Sequence, residues 1–294
     1  INTFTGCHTP RLMLLIDTGK EYPEELKQNP IGRELLMTWM GKAQQIRRQN
    51  MKVNAVASKL FSMLREDGMR CCVLKGQGNA LMYPNPYSRT PGDIDIWVEG
   101  EDKRVISFVR SISPHEKACY HHIEFPSYKG VEVEVHYRPS FLLCFWNNRK
   151  LQKYYERVKE EQFSHRVMLG EQGEIAIPTV EFNLIFQLTH IYAHLMNEGI
   201  GLRQLLDYYF VLQHADIKDL TELQRNLKHF GLWKFAGAIM YIMHEVFGMP
   251  ASRLIVPLNE KYGNFVLNEV LEAGNFGSYD KRNRFGKSQL GHNL

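Results

Sequence analysis

Four carboxylates occur as two pairs with the same spacing. Asp93 and Asp95 lie two residues apart, and so do Glu132 and Glu134. Side chains two residues apart on a β-strand point to the same face, so two such strands side by side would gather these carboxylates. Like charges at close range raise one another's pKa and cost free energy unless a cation compensates them. The pairs therefore predict a site for Mg²⁺ or Mn²⁺, which prefer oxygen ligands.

A glycine-containing turn precedes the aspartates. Lys75, Gly76, Gln77 and Gly78 follow a short apolar run that reads as a buried strand. Glycine lets backbone N–H groups approach a phosphate closely, and the start of a following helix adds a partial positive charge. The pattern is common by itself, and its position one strand ahead of the aspartates gives it meaning. We therefore expect Lys75 to Gly78 to bind phosphate.

Arg89 and three histidines are further candidates in the same half of the chain. Arg89 lies in a proline-rich segment before the aspartates, where it contacts phosphate, forms a salt bridge or is solvated. His136 shares the strand face of Glu134, so it contacts substrate or has a structural role. His121 and His122 begin a strand and are interpreted as a polar pair beside a turn.

The second half offers weaker signals. His190 and His194 have helical i, i+4 spacing, which can bind a transition metal, but no third ligand is in range. We interpret them as residues of a helix face. Arg203 and Asp207 have the same spacing and predict a helical ion pair, with a nucleotide contact by Arg203 as the alternative. Residues 208–210 are aromatic and predict helical core.

The elements that must position these groups indicate a small sheet with helices. Helical spacing of apolar residues predicts two helices between Pro30 and Gly68, and another helix over 101–111. Strands are predicted over 70–74 and 93–98, with a β-hairpin whose turn covers 126–130. Residues 146–161, and a long region from 178 to about 247, predict helices.

The composition limits the kinds of binding partner that are expected. The 36 basic and 32 acidic side chains give a formal charge of +4, too small and dispersed to favour a nucleic-acid or membrane surface. No apolar stretch approaches the ~20 residues that span a bilayer. The cysteine number is odd, without CxxC or Cys/His zinc spacing, so reduced thiols of a cytoplasmic protein are expected. The oligomeric state is left open. The cysteines are Cys7, Cys71, Cys72, Cys119 and Cys144.

The order of these motifs resembles the bacterial uncharacterised nucleotidyltransferase family of the polymerase-beta-like superfamily. The similarity extends over roughly residues 30 to 280 and lies in several segments. They are Leu74-Lys75-Gly76, Tyr83-Pro84, Arg89, Gly92-Asp93-Ile94-Asp95, Val133-Glu134-Val135-His136-Tyr137, the segment 201–207 and Gly274-Asn275-Phe276-Gly277.

The resemblance implies an α+β fold in which a small mixed sheet with flanking helices is followed by a helical domain that helps to close over the nucleotide. The character of the sequence changes after Pro139, which predicts a domain change between 140 and 178. The predicted domains are N-terminal helices (1–68), the catalytic core (69–145), a mainly helical domain (146–270) and a flexible or truncated tail (271–294).

The resemblance also implies a reaction. A nucleoside monophosphate would pass from an NTP to a hydroxyl group of an acceptor, with two Mg²⁺ or Mn²⁺ ions held by Asp93, Asp95 and Glu134. Glu132 is the alternative third ligand. The turn Gly76–Gly78 would cradle the β- and γ-phosphates. The NTP and the acceptor, which is a small molecule, a sugar, a protein side chain or an RNA end, are left open.

One position departs from the superfamily pattern. The usual turn is Gly-Ser, whose hydroxyl touches phosphate, whereas Gln77 follows Gly76 here. Lys75 or Arg89 would have to supply compensating positive charge. A catalytically inactive nucleotide-binding or regulatory module on the same fold is therefore the alternative function.

Overall fold

Residues 32–197 and 199–273 are described by the computed structural model. They divide into two units, one formed by residues 32–139 and 159–179 and the other by residues 140–158, 180–197 and 199–273. The domain ranges predicted above stay a prediction. Cys7 and the family-like segment Gly274–Gly277 lie outside the described residues.

A four-stranded mixed sheet is the centre of the first unit. Its spatial order is β1-β2-β4-β3, in which β2 and β4 are parallel and the two outer pairs are antiparallel. All five residues of β2 are buried, so this strand is covered on both faces. The sheet with its helices confirms the predicted α+β class. The strands are β1 (Cys71–Val73), β2 (Ile94–Val98), β3 (His122–Tyr128) and β4 (Val131–His136).

Strands β3 and β4 form the predicted hairpin, but with a shorter turn. Lys129 and Gly130 both have positive φ, 53° and 68°, as two-residue hairpin turns require. The register shifts between Phe125 and Tyr128, and Pro126 lies at this irregularity. Proline is tolerated there because a bulge on the outermost strand needs no ladder donor. The predicted turn over 126–130 was therefore wrong at its start.

One long helix, α1 (Arg33–Glu66), replaces the two helices predicted before Gly68. No proline interrupts it, and Gly41 lies on an open surface where its cost is only about 1 kcal/mol. Its second half packs on β1 and β6. Apolar side chains at helical spacing explain that packing; among the buried ones are Val53, Val56, Leu60, Phe61 and Leu64.

Shorter elements complete the first unit. Helix α3 buries Val105 and Val109, and the Trp97 and Phe163 rings lie 4.7 Å apart. A separate two-stranded sheet pairs β5 with β6. The bounds of these elements are α2 (Gln77–Ala80), a 3₁₀ turn (Pro86–Ser88), α3 (Asp102–Ile112), β5 (Arg166–Met168) and β6 (Glu174–Ala176).

The second unit is helical. Its buried hydroxyls are hydrogen-bonded, with Ser140 Oγ 2.6 Å from Tyr155 Oη and 2.5 Å from Thr189 Oγ1. Tyr208 is core, as expected, and donates to the Leu184 carbonyl at 3.1 Å. Helix α4 (Phe145–Ser164) continues into the first unit. The other helices are α5 (Val180–Asn197), α6 (Leu202–His214), α7 (Leu220–His229), α8 (Trp233–Glu245) and α9 (Glu260–Ala273).

Within the described ranges, none of the helices combines the length and apolar character that crossing a bilayer requires.

Candidate functional site

The parallel pairing of β2 with β4 brings the two carboxylate pairs together. Asp95 lies directly opposite Glu134 in the register, and Asp93 immediately precedes β2. One oxygen from each of these three carboxylates lies within 4.8 Å of the others. Two strands separated by α3 and β3 in the chain thus supply one cluster. The donor set, three carboxylates, suits a hard divalent cation.

Burial distinguishes the four acidic residues. Asp95 is 2% exposed, whereas the side chain of Glu134 is 32% exposed and Asp93 is intermediate. Glu132 is exposed and does not belong to the three-carboxylate group. Asp95 therefore forms the buried side of the cluster, and Glu134 and Asp93 form its accessible side.

Lys75 supplies a positive charge beside the inner carboxylate. Its Nζ lies 3.1 Å from Asp95 Oδ1, and its side chain is 20% exposed. Burial lowers the pKa of Lys75, but the charges of Asp95, Asp93 and Glu134 outweigh burial and raise that pKa. The ammonium group therefore stays charged and offsets part of the negative charge.

His136 joins two of the carboxylates. Its Nε2 lies 3.1 Å from Asp95 Oδ1 and 3.3 Å from Glu134 Oε2. Its Nδ1 lies 3.3 Å from the carbonyl oxygen of Arg138. Burial alone lowers the pKa of His136, yet the bonds to Asp95 and Glu134 prevail and raise it to about 9. A protonated ring donates from Nδ1 to the Arg138 carbonyl and from Nε2 to the carboxylates, which share that single N–H.

The pKa values of Asp93 and Glu134 shift in opposite directions. The negative charge of Asp95, followed by burial, raises the pKa of Asp93 even though Lys75 opposes it. Burial raises the pKa of Glu134, but the hydrogen bond to His136 together with the charges of His136 and His122 outweighs burial, so the net direction is down. Asp93 thus carries the uncompensated repulsion of the cluster, which a bound cation would relieve.

The glycine turn lies next to Asp93. Gly76 has a φ of 59°, and a Cβ built on it would lie 3.7 Å from the Asp93 carbonyl oxygen. The Gly78 N–H donates to the Lys75 carbonyl at 3.3 Å, and a Cβ on Gly78 would lie 3.0 Å from Ile177 Cγ2. Gly78 thus packs closely against Ile177, and the phosphate binding predicted for Lys75 to Gly78 stays a prediction.

The Gln77 side chain is directed at α1. It is 3% exposed, and its Nε2 donates to Asn54 Oδ1 in a short hydrogen bond and lies 3.4 Å from Asn50 Oδ1. Asn50 Nδ2 in turn donates to the carbonyl oxygens of Tyr87 at 3.0 Å and Arg89 at 2.7 Å. The residue that departs from the superfamily pattern thus ties the glycine turn to the long helix.

Two predicted phosphate or nucleotide contacts stay predictions. Arg89 is buried, and its Nη1 donates to the Thr90 carbonyl at 3.4 Å. Arg203 lies in the first turn of α6 in the second unit. His190 and His194 lie on α5 with ring centroids 4.2 Å apart, and every group of three metal-capable side chains found among the described residues lies in the first unit.

A cluster that the sequence did not predict borders the carboxylates. The rings of His121, His122 and His136 lie 4.4 to 5.4 Å apart, and His122 Nδ1 is 3.4 Å from Glu134 Oε2. The pKa of His121 is lowered to about 2, and burial is the largest cause. Burial raises the pKa of Cys119, but hydrogen bonding with His122 leads the effects that lower it overall. In the sequence these residues form a Cys-x-His-His pattern at the start of β3, the strand that pairs with β4.

Comparison with known proteins identifies a family and similar solved structures. Residues 23–248 match the family described as "Uncharacterised nucleotidyltransferase". A solved structure that matches is that of an antigenic nucleotidyltransferase-like protein from Paracoccidioides brasiliensis, with 14% identity, a TM-score of 0.40, and coverage of 70% of this chain and 93% of that chain. No curated protein matches the chain.

Proposed function

Because this chain belongs to the uncharacterised nucleotidyltransferase family, we propose that it transfers a nucleoside monophosphate from an NTP, such as ATP, to an acceptor hydroxyl with two divalent cations. Family membership confirms the resemblance found in the ordered motifs and supports a nucleotidyltransferase activity. The cations, the nucleotide and the acceptor belong to the proposal. The observation that carries it is the register that sets Asp95 opposite Glu134, with Asp93 beside them.

The side chains present fit the proposed cations. Asp93, Asp95 and Glu134 offer carboxylate oxygens, the ligands that Mg²⁺ and Mn²⁺ prefer, and two of the three are partly accessible. When bound, such ions lower the pKa of an attacking hydroxyl and stabilise charge at the phosphorus and on the leaving pyrophosphate.

The remaining residues have proposed roles that follow from their contacts. Lys75 limits the negative charge at Asp95, and His136 holds Asp95 and Glu134 in fixed orientation. The glycine turn lies next to Asp93, and we propose that the N–H groups of Gly76 and Gln77 donate to phosphate oxygens. Fixed donors of this kind stabilise charge without reorganisation during the reaction.

A specific observation favours a second candidate, an inactive nucleotide-binding module. The Gln77 amide is used in the contact with α1, so the turn offers no side-chain hydroxyl to a phosphate. The retained carboxylate cluster supports the enzyme over this alternative.

The proposed setting is the cytoplasm, with a small or flexible acceptor. Four cysteines of the described ranges are free thiols: Cys71, Cys72, Cys119 and Cys144. Free thiols are typical of reducing compartments. The weak net charge of +4 does not favour a long nucleic acid as the acceptor.

An acceptor screen with α-labelled NTPs tests the proposal. We expect Asp93→Asn and Glu134→Gln to reduce transfer by about 100-fold, because each removes charge that stabilises the transition state. Asp67→Asn, an exposed carboxylate after α1, is the matched control. Glu132→Gln tests the alternative third ligand and should behave as the control does. Mass spectrometry of the labelled product identifies the acceptor.

Calorimetry of Mg²⁺-NTP binding distinguishes the two candidate functions. Metal-dependent binding with pyrophosphate release supports the enzyme, and binding without release from any acceptor supports the inactive module. Transfer that persists in Asp93→Asn would falsify the proposed role of the carboxylates.

A further inference from the structure

A tight turn at the start of β3 brings a thiol and two imidazoles together. The Cys119 N–H donates to the His122 carbonyl at 2.9 Å, and Ala118 bridges antiparallel to Ile123. Residues paired across such a turn project from the same face of the ladder. Cys119 and His122 therefore lie on one face, and His121 lies within the turn between them.

The donor atoms are separated by distances typical of a metal site. Cys119 Sγ lies 3.5 Å from His121 Nδ1, and His121 Nε2 lies 3.0 Å from His122 Nδ1. One donor atom from each residue lies within 4.8 Å of the others. In a tetrahedral zinc site with metal–sulfur and metal–nitrogen bonds of about 2.3 and 2.0 Å, ligand atoms are roughly 3.3 to 3.6 Å apart. A histidine binds a given ion through one nitrogen, so His121 would use either Nδ1 or Nε2, and the three donor atoms would draw together from their present separations of up to 4.8 Å.

The surroundings add a fourth donor. Glu134 Oε2 lies 3.4 Å from His122 Nδ1, and the His136 ring is 5.2 Å from that of His122. His122, Glu134 and His136 also form a group with donor atoms within 4.8 Å of one another. A cation at the turn would therefore border the carboxylate cluster through Glu134.

The donor types determine which cation this turn would take. Thiolate and imidazole ligands suit Zn²⁺ and related transition metals, whereas carboxylate and water suit Mg²⁺ and Mn²⁺. We propose that Cys119, His121 and His122 bind one transition-metal cation of the Zn²⁺ class, distinct from the cations proposed at Asp93 and Asp95. Three protein ligands leave a fourth position for water or Glu134.

Cobalt titration of the whole chain, freed of metal and of any histidine tag, tests this site. Mg²⁺ is kept in excess so that the carboxylates are filled by a cation without visible absorption. We expect one equivalent of Co²⁺ to give the near-ultraviolet thiolate-to-cobalt band and intense visible bands of tetrahedral coordination. Zn²⁺ displaces the cobalt.

Matched variants identify the ligands. Cys119→Ser should abolish the thiolate band and weaken Co²⁺ binding at least tenfold, and His122→Ala should weaken it similarly. Cys144→Ser alters another exposed free thiol and should leave the spectrum unchanged. Asp93→Asn should also leave it unchanged, so loss of the proposed transfer activity and loss of this site are separable.

Two results overturn the inference. One is the lack of any thiolate band in the wild-type titration, since the histidines and Cys119 then form only a hydrogen-bonded cluster. The other is a thiolate band that persists in Cys119→Ser.

Discussion

At the scale of single residues, Asp95 is the carboxylate with the most constrained surroundings. Its Oδ1 is 3.1 Å from both Lys75 Nζ and His136 Nε2. Lys75 and His136 thus both lie within hydrogen-bond distance of one buried carboxylate oxygen. A charge so buried is costly without its partners. His136 and Lys75 are therefore required for the cluster to exist before any cation binds.

His136→Ala is predicted to destabilise the first unit by about 3 kcal/mol when metal is chelated, because it breaks a buried charged pair. The same change should weaken Mn²⁺ binding about 10- to 100-fold, as loss of groups that orient ligands does. Urea denaturation and calorimetry measure the two effects. His136→Gln, which can donate one hydrogen bond, should lose less stability and less Mn²⁺ affinity.

His115→Ala is the control for this prediction, since His115 is exposed. An unchanged Mn²⁺ affinity in His136→Ala would show that the ring packs in the core without positioning the carboxylates.

At the scale of elements, the glycine turn depends on α1. Gln77, Asn54 and Asn50 form a buried amide cluster that joins the turn to the second half of the helix. Asn50 extends the connection to the backbone at Arg89. Buried amides need their partners, because an unsatisfied amide costs about 1 to 3 kcal/mol. The long helix therefore positions the turn beside Asp93.

Gln77→Ser restores the hydroxyl of the superfamily pattern, but we predict a loss of about 1 to 3 kcal/mol in the free energy of unfolding. The serine is too short to reach Asn54, so the Asn54 amide is left buried without this bond. Transfer activity should not rise, because the turn loses its attachment to α1.

A double-mutant cycle with Asn54→Ala measures the coupling, which should exceed 0.5 kcal/mol as for residues in direct contact. Gln45→Ser, on the exposed part of α1, is the control. Additive effects of the two changes would contradict the proposed attachment.

At the scale of the whole molecule, the chain forms two units that differ in secondary structure. The first contains the mixed sheet and all the metal-capable groups found among the described residues. The second is built from helices. A cation bound in the first unit stabilises its folded state by mass action, since the unfolded chain lacks the cluster.

Mn²⁺ at 100 times its dissociation constant should raise the free energy of unfolding of the first unit by about 2.7 kcal/mol. Calorimetric scans with and without Mn²⁺ check this through an increase of several degrees in Tm. Asp93→Asn should remove most of the increase. An equal increase in that variant would place the stabilising cation elsewhere.

The sequence alone determined the local features. Alternation and turn residues predicted β1, β2 and the β3–β4 hairpin, and helix α3 was also predicted, because these elements follow from contacts between near neighbours in the chain. The order of motifs was sufficient to indicate the family. The carboxylate pairs predicted oxygen ligands because spacing by two fixes a shared strand face.

Tertiary structure decided the rest, because it depends on long-range contacts. Asp95 and His136 are 41 residues apart, and only the parallel pairing of β2 and β4 joins them. The same pairing sets Glu134, and not Glu132, opposite Asp95. Where the Gln77 side chain points depends on the packing of the glycine turn against α1. The cluster of Cys119 with the histidines required the turn to lie next to β4, which no pattern within either segment specifies.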